Sequence, residues 1–204
     1  MPALTLVHVC RHGLVHNPDD LLYSRLPGFH LSFQGQLMAE ALAARFAAEP
    51  LTYLGTSPLE RARETMAPIA SRHPDLAVHV DWRLIEADSA MQGQTKGRFS
   101  LRLARPSNWH LFIHPGKAAW GEAYAAMATR TLNAIADAGA LAGAGGAALL
   151  VSHQAPIWVA RRAAENKFLF NIPATRQCGL ASVTTFTVDE QGTVRFAAYQ
   201  PATP

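Results

Sequence analysis

Apolar residues recur along this chain at two spacings, about two and about 3.6 residues, which predict strands and helices respectively. Short aliphatic runs predict strands. They cover residues 4–9, 51–56, 78–80, 147–152, 180–188 and 194–199. Longer stretches with one apolar face predict helices. They cover residues 33–48, 58–72, 122–138 and 157–164, with a further short helix at 97–104.

The connections between these elements contain residues that are typical of helix ends, loops and turns. Ser32 stands where an N-cap is needed for the first helix, and Ser57 can cap the second, with Pro58 in its first turn. Residues 14–31 hold few periodic apolar positions and predict a long loop. The Gly- and Ala-rich residues 139–146 predict a turn after the long helix.

Strands alternate with helices through most of the chain, which predicts an α/β domain with a mainly parallel sheet. The 204 residues suit a single domain, and 49% hydrophobic with 16% charged residues is a globular composition. We therefore expect one domain over residues 1–204, with an irregular insert at about 87–121 that caps the substrate site.

Charge and composition narrow the classes of partner. No apolar run approaches the roughly 20 residues that span a bilayer, and the N-terminus lacks a signal-peptide pattern. Cys10 and Cys178 have no metal-binding or redox spacing. The net charge is +3 and the chain contains no tract of Lys and Arg, so we expect it to bind neither nucleic acid nor membrane. We expect a cytoplasmic protein, because neither a membrane span nor a signal peptide is predicted. A modest excess of arginine suits small anionic ligands.

Polar residues follow three of the predicted strands at the point where each strand ends. Arg11 and His12 follow the first strand, Ser57 and Arg61 follow the second, and His153 follows the strand at 147–152. Ligands of open α/β sheets bind at such carboxyl ends. A neutral imidazole is a competent nucleophile toward phosphorus, while guanidinium groups and a protonated His153 would bind phosphoryl oxygens. The sequence therefore predicts a phosphoryl-binding site with a histidine nucleophile.

These residues belong to a series of motifs in which the sequence resembles the histidine phosphatase (phosphoglycerate mutase-like) superfamily. The motifs, in family order, are R-H-G at 11–13, L-S-x-x-G at 31–35, S-P-L-x-R-A-x-x-T at 57–65, L-x-E at 84–86 with Gly93 after it, G-E at 121–122 and V-S-H at 151–153. The triplet alone is a weak signal, but the whole series in order is specific.

The resemblance implies a three-layer α/β sandwich, with a mostly parallel central sheet flanked by helices. It implies His12 as the phosphorylated residue, a phosphate pocket of Arg11, Arg61 and His153, and Glu86 as proton donor. Asp88, two residues on, is the competing acid. The resemblance also implies that no metal or organic cofactor is needed.

Three positions depart from the family pattern. Leu14 stands where Glu or Gln often follows the triplet, and Gln154 stands where Gly usually follows the second histidine. Asn17 comes about one residue earlier than the asparagine that contacts phosphate in the family; we carry it over as a phosphate-binding candidate, with an Asx turn before Pro18 as its alternative. Gln154 could narrow the pocket or contact substrate.

Two further arginines are candidates for substrate specificity. Arg98 and Arg102, followed by Arg105, have helical spacing. They form either a solvated helix face or a basic lid over a substrate that carries a second anion.

We expect the substrate to be a small phosphate ester that is hydrolysed. Phosphoglycerate mutase-type transfer is the alternative, although the family's mutases usually have a longer insert before the second histidine. A second alternative is that the protein is not an effective enzyme but a catalytically weak phospho-ligand-binding module. The presence of all four candidate residues argues against it: His12, Arg11, Arg61 and His153. The oligomeric state is left open, a homodimer included.

Overall fold

A six-stranded sheet forms the centre of the protein. The computed structural model describes residues 4–89, 92–95, 121–169 and 176–202. The strands are β1 (Thr5–Arg11), β2 (Leu51–Thr56), β3 (Val78–Val80), β4 (Ala147–Ser152), β5 (Val183–Val188) and β6 (Val194–Gln200). Their order across the sheet is β3-β2-β4-β1-β5-β6, in which the first four are parallel and the β5–β6 hairpin adds to β1 in antiparallel fashion. The mostly parallel sheet is thus confirmed.

Helices cover both faces of this sheet. They are α1 (Phe33–Phe46), α2 (Glu60–Ser71), α3 (Tyr124–Ala142) and α4 (Gln154–Ala164), with a 3-10 turn at Trp82–Leu84. Side chains of β4 alternate between two hydrophobic clusters, as a strand buried on both faces requires. Leu149 packs with Leu42 of α1, and Leu150 packs with Ile135 of α3. The predicted three-layer sandwich is therefore confirmed.

Several predicted boundaries were wrong, and the long helix shows why. α3 continues through Gly139 to Ala142, where the sequence suggested a turn from residue 139. A Cβ on Gly139 would lie 2.7 Å from the Cβ of Val188, so glycine lets the helix pack closely on β5. The gain in packing outweighs the weak helix propensity of glycine.

The second helix and the one after His153 begin elsewhere than predicted. α2 begins at Glu60 after Leu59, so Ser57 is not its N-cap. α4 begins at Gln154, directly after His153, rather than at residue 157. β1 also extends to Arg11.

Some predictions lie outside the described residues. These are the short helix at 97–104, Arg98 and Arg102, and most of the capping insert at about 87–121. Within the described part, no helix is long and apolar enough to cross a membrane.

Candidate active site

The three predicted groups of polar residues meet at the carboxyl edge of the sheet. In the register of the central strands, Arg11 pairs with Ser152. The backbone N–H of His12 donates to the Ser152 carbonyl at 3.1 Å, and that of Ser57 donates to the Val151 carbonyl at 2.9 Å. β1 and β2 lie on either side of β4, so the chain emerges from all three at one place.

His12 is held as a neutral imidazole. Its side chain is 1% exposed, and Nδ1 lies 2.8 Å from the carbonyl oxygen of Gly13, which fixes Nδ1 as the donor. The lone pair is then on Nε2. Burial, and next the positive charges of Arg61 and Arg11, hold the pKa of His12 well below its usual value. A neutral imidazole with a defined tautomer is the form that can attack phosphorus.

Two glycines bring the loop at His12 against the first helix. A Cβ on Gly13 would lie 2.5 Å from the carbonyl oxygen of Gly35, and one on Gly35 would lie 2.0 Å from the carbonyl oxygen of Leu14. Ser32 caps α1 as predicted, since its Oγ accepts from the Gly35 N–H at 3.1 Å. The conformation of His12 therefore depends on close backbone contact with the L-S-x-x-G segment.

Thr65, the last residue of the S-P-L-x-R-A-x-x-T motif, connects α2 to the loop at His12. Its hydroxyl accepts from the backbone N–H of Gly13 at 3.1 Å and donates to the carbonyl of Arg61 at 2.7 Å. The spacing of four residues between Arg61 and Thr65 places both side chains on one face of the helix.

Arg61 and Arg11 present buried donors that the described residues do not satisfy. Arg61 is fully buried; its Nη2 donates to the Ser24 carbonyl at 2.6 Å, and its guanidinium lies 4.8 Å from the centre of the Tyr23 ring. Arg11 Nη1 donates to the Cys178 carbonyl at 2.7 Å. In the described part of the chain, Arg61 Nε and Nη1 and Arg11 Nε are buried without a hydrogen-bond partner. Unpaired buried donors of this kind are costly unless a ligand satisfies them.

His153 faces His12 and is held by Ser57. The two imidazole centroids are 5.1 Å apart, and His153 Nε2 lies 2.7 Å from Ser57 Oγ. Its Nδ1 is buried and has no partner among the described residues. Burial, followed by His12 and the nearby arginines, holds the pKa of His153 well below its usual value, which favours the neutral imidazole. The serine expected to cap a helix instead orients the second histidine.

Both candidate acids line one cleft beside this pocket. The cleft has a volume of about 340 Å³, and Arg11, Glu86 and Asp88 are among its lining residues. Glu86 Oε1 accepts from the Ala87 N–H at 2.8 Å, while Asp88 Oδ1 accepts from the Ser89 N–H at 2.8 Å. Glu86 and Asp88 share this cleft with Arg11, so the geometry does not choose between them and the role of Glu86 as proton donor stays a prediction.

A charged network that the sequence analysis missed holds the segment carrying Glu86. Arg25 Nε donates to the Glu86 carbonyl at 2.7 Å, and Arg25 Nη2 contacts Glu122 at 3.1 Å. Arg130 makes two hydrogen bonds to Glu122, of 2.6 and 2.8 Å. The Ser24 hydroxyl also donates to the Ala87 carbonyl at 2.5 Å. Only Glu122, in the G-E motif, carried a sequence signal.

Asn17 and Gln154 occupy different surroundings. The Asn17 amide makes two bonds to the backbone of Leu21, of 2.9 and 3.0 Å, and so closes its own loop. Its role in phosphate binding stays a prediction. Gln154 reaches the cleft, where its Oε1 accepts from Arg176 Nη1 at 3.3 Å. Arg176 is a cleft residue that no motif signalled.

Similarity to known proteins identifies the family of this chain. The family model for the histidine phosphatase superfamily (branch 1) matches residues 7–198. The chain belongs to this superfamily. A histidine phosphatase is a phosphoric monoester hydrolase, and we assign this protein to that class of enzyme.

Relatives of this histidine phosphatase share its length and fold. It is 43% identical over 202 residues to the uncharacterized protein Rv0525 of Mycobacterium tuberculosis, covering 99% of each chain. The mycobacterial glucosyl-3-phosphoglycerate phosphatase Rv2419c superposes with a TM-score of 0.77 at 24% identity, covering 95% of this chain and 96% of that one. The phosphoserine phosphatase of Entamoeba histolytica superposes with a TM-score of 0.76 at 19% identity, covering 96% of each. At these identities, the two structures show a shared fold.

Proposed function

We propose that this histidine phosphatase hydrolyses a small phosphorylated metabolite without a metal, through a phosphohistidine formed on His12. The observation that carries the proposal is the set of unpaired buried donors around His12. Arg61 Nε and Nη1, Arg11 Nε and His153 Nδ1 lack partners among the described residues. A phosphoryl group offers several acceptor oxygens and two negative charges, which would satisfy these donors together.

The reaction then has two steps that share one pocket. Nε2 of His12 attacks phosphorus, the bond from phosphorus to the ester oxygen breaks, and Glu86 gives the leaving oxygen its proton. Glu86, now a carboxylate, takes a proton from water, and the resulting hydroxide attacks phosphorus and breaks the bond to Nε2. Inorganic phosphate leaves, and both His12 and Glu86 return to their starting forms. Asp88 is the alternative acid in the same cleft.

His153 is proposed to change its charge as the substrate binds. Its pKa is low because of burial and the neighbouring positive groups. A phosphoryl dianion beside it would favour the imidazolium, which then donates to the anion from Nδ1 while Ser57 holds Nε2. Donors fixed in place before the reaction stabilise the transition state without having to reorganise.

The names of the structural relatives support hydrolysis of a small ester, since glucosyl-3-phosphoglycerate and phosphoserine phosphatases are both named for such substrates. No group of three or more His, Cys, Asp or Glu side chains in the described part of the chain could hold a metal ion. The proposed chemistry depends only on the protein's own side chains, because a neutral imidazole is itself a competent nucleophile toward phosphorus.

The test is hydrolysis of p-nitrophenyl phosphate between about pH 5 and pH 8 in EDTA. Wild type is expected to turn over, and His12→Ala is expected to be inactive with an unchanged circular dichroism spectrum. His79→Ala is the matched control, because it removes an exposed histidine from the edge strand β3. Activity in purified His12→Ala would exclude His12 as nucleophile, and loss of wild-type activity in EDTA would point to a metal.

A further inference from the structure

The segment that carries Glu86 belongs to no helix or strand, so other contacts fix its position. Residues 85–89, the acid segment, have no regular secondary structure. The carbonyl of Glu86 accepts from Arg25 Nε at 2.7 Å, and the carbonyl of Ala87 accepts from Ser24 Oγ at 2.5 Å. Both donors come from neighbouring residues of the long loop after β1. The position of the Glu86 carboxyl group therefore depends on how these two residues are themselves held.

Glu122 holds Arg25 from the opposite side. Oε2 of Glu122 accepts from Arg25 Nη2 at 3.1 Å and from Arg130 Nη2 at 2.8 Å, and Oε1 accepts from Arg130 Nε at 2.6 Å. The Glu122 side chain is only 17% exposed. A carboxylate that is shielded from solvent between two guanidinium groups forms charge-assisted hydrogen bonds of defined geometry. Arg25 thus links Glu122 to the Glu86 carbonyl.

Gly121 brings Glu122 close to the acid segment. A Cβ on Gly121 would lie 2.0 Å from the carbonyl oxygen of Asp88 and 2.5 Å from its carbonyl carbon, so a larger residue would push the two chains apart. Arg130, the second partner of Glu122, also donates from Nη1 to the carbonyl of Arg83, just before the acid segment. Both residues of the G-E motif therefore act on the segment that carries the candidate acids.

We propose that Glu122 is a positioning residue for the phosphatase reaction: through Arg25 it holds the Glu86 carboxyl group where that group protonates the leaving oxygen. The inference rests on the proposed function, in which Glu86 is the acid. Glu122 is not among the described residues that line the cleft, so it acts through Arg25 rather than on the substrate. A displacement of about 1 Å can cost roughly 100-fold in rate, so a contact that fixes the backbone at Glu86 affects proton transfer.

Glu122→Gln is the variant that tests this link. It keeps the size of the side chain, removes its charge, and replaces one acceptor oxygen by a donor that cannot accept from an arginine. In the described part of the chain, the side-chain hydrogen bonds of Glu122 go to Arg25 and Arg130 and not to the phosphate pocket around His12. The variant should therefore impair protonation of the leaving group more than attack on phosphorus.

The leaving group separates these two effects. p-Nitrophenolate leaves readily as an anion, whereas phenolate depends more on a proton from an acid. The quantity measured is the ratio of kcat/KM for p-nitrophenyl phosphate over phenyl phosphate; kcat/KM reports the steps up to loss of the alcohol. Glu122→Gln is expected to raise this ratio roughly tenfold, part of the roughly 100- to 10,000-fold that a positioned acid contributes, while kcat/KM for p-nitrophenyl phosphate changes less than about threefold.

Arg25→Lys tests the same link from its other end. Lysine keeps the charge, but its single nitrogen cannot reproduce the planar fork that binds Glu122 and the Glu86 carbonyl together. This variant is expected to raise the ratio by a similar factor, and it carries the test if Glu122→Gln does not fold. The double variant should raise the ratio no further, because both changes break one link. Independent, multiplying effects would overturn the proposal.

Glu165 provides a matched control. Its side chain is 15% exposed and contacts Arg161 at 3.6 Å and Lys167 at 3.2 Å, just after α4. Glu165→Gln is expected to keep the wild-type ratio, and Glu86→Gln to raise the ratio more than Glu122→Gln does. An unchanged ratio in folded Glu122→Gln, or an equal fall in kcat/KM for both esters, would overturn the proposal.

Hydrogen exchange separates failure of this proposal from failure of the proposed function. A wild type that hydrolyses neither ester would overturn the proposed function. The backbone amides of residues 84–89 should still exchange roughly tenfold faster in Glu122→Gln than in wild type, because the acid segment opens more easily without its anchor. Glu165→Gln should exchange there as wild type does. Equal exchange in Glu122→Gln and wild type would overturn the link itself.

Discussion

Arg61 is expected to serve the ligand rather than the fold, and replacing it with methionine tests this. Arg61→Met keeps a long unbranched side chain in a fully buried position and removes the charge. The variant should lose phosphatase activity while keeping its stability. A buried arginine that holds a fold together through a buried ion pair would behave in the opposite way.

The magnitude follows from the contacts of the guanidinium. Substitution removes two buried donors, Nε and Nη1, that no described residue satisfies, and each costs the folded protein about 1–3 kcal/mol. It also removes the bond to the Ser24 carbonyl, about 1.5–3 kcal/mol for a charged donor. The contact with the Tyr23 ring contributes a further ~0.5–2 kcal/mol. Gains and losses are similar, so the free energy of unfolding should change by less than about 2 kcal/mol.

Urea unfolding with and without vanadate measures the free energy of unfolding and its change on ligand binding. The kinetic constants kcat and kcat/KM measure the loss of activity. The variant should lose roughly 100- to 1000-fold in kcat, the loss seen when one transition-state donor is removed. Ligand at 100 times its Kd should stabilise wild type by about 2.7 kcal/mol and leave the variant almost unaffected. Arg63→Met, on an exposed position of α2, is the control. A loss of more than about 3 kcal/mol in Arg61→Met without ligand would refute the reasoning.

Three further predictions concern the groups around His12. Ser57→Ala leaves His153 Nε2 without its 2.7 Å partner, so kcat should fall roughly tenfold, measured with p-nitrophenyl phosphate; an unchanged rate would show that the bond does not orient His153. Gly35→Ala places a Cβ 2.0 Å from the Leu14 carbonyl oxygen, so Tm and activity should fall together, and a variant with wild-type Tm would contradict the close packing. Folding lowers the pKa of His12 and His153 below the unfolded value of about 6.5, so the unfolded state binds more protons than the folded state as the pH falls below that value. Stability should therefore fall as the pH drops below about 6.5, by up to ~1.4 kcal/mol per pH unit for each histidine, and urea titrations should show a shallower fall in His12→Asn.

The sheet and the meeting of the polar residues at its carboxyl edge could be predicted from the sequence because their signals are local. β2 and β4 were predicted with the correct ends, since aliphatic runs bounded by polar residues are unambiguous. The positions of His12, Arg61 and His153 followed from strand ends, and the parallel order of β1, β4 and β2 brought them together.

The remaining features depend on contacts between distant parts of the chain. Gly139 suggested a helix end, and only its packing on Val188 explains why the helix continues. Ser57 resembled a helix cap, but its partner is His153, 96 residues away. Arg25 and Arg176 stand in segments without motifs, so their approach to the Glu86 cleft could not be inferred from spacing along the sequence.

Trapping the phosphoryl group on the enzyme would test the central claim most directly. Wild type would be mixed with excess p-nitrophenyl phosphate, quenched in base within a single turnover, and digested for mass spectrometry. The account predicts one phosphoryl group on the peptide that contains His12, formed at the rate of the first turnover and absent from His12→Ala. Turnover without a phosphorylated enzyme, or a phosphoryl group on His153 instead, would contradict it.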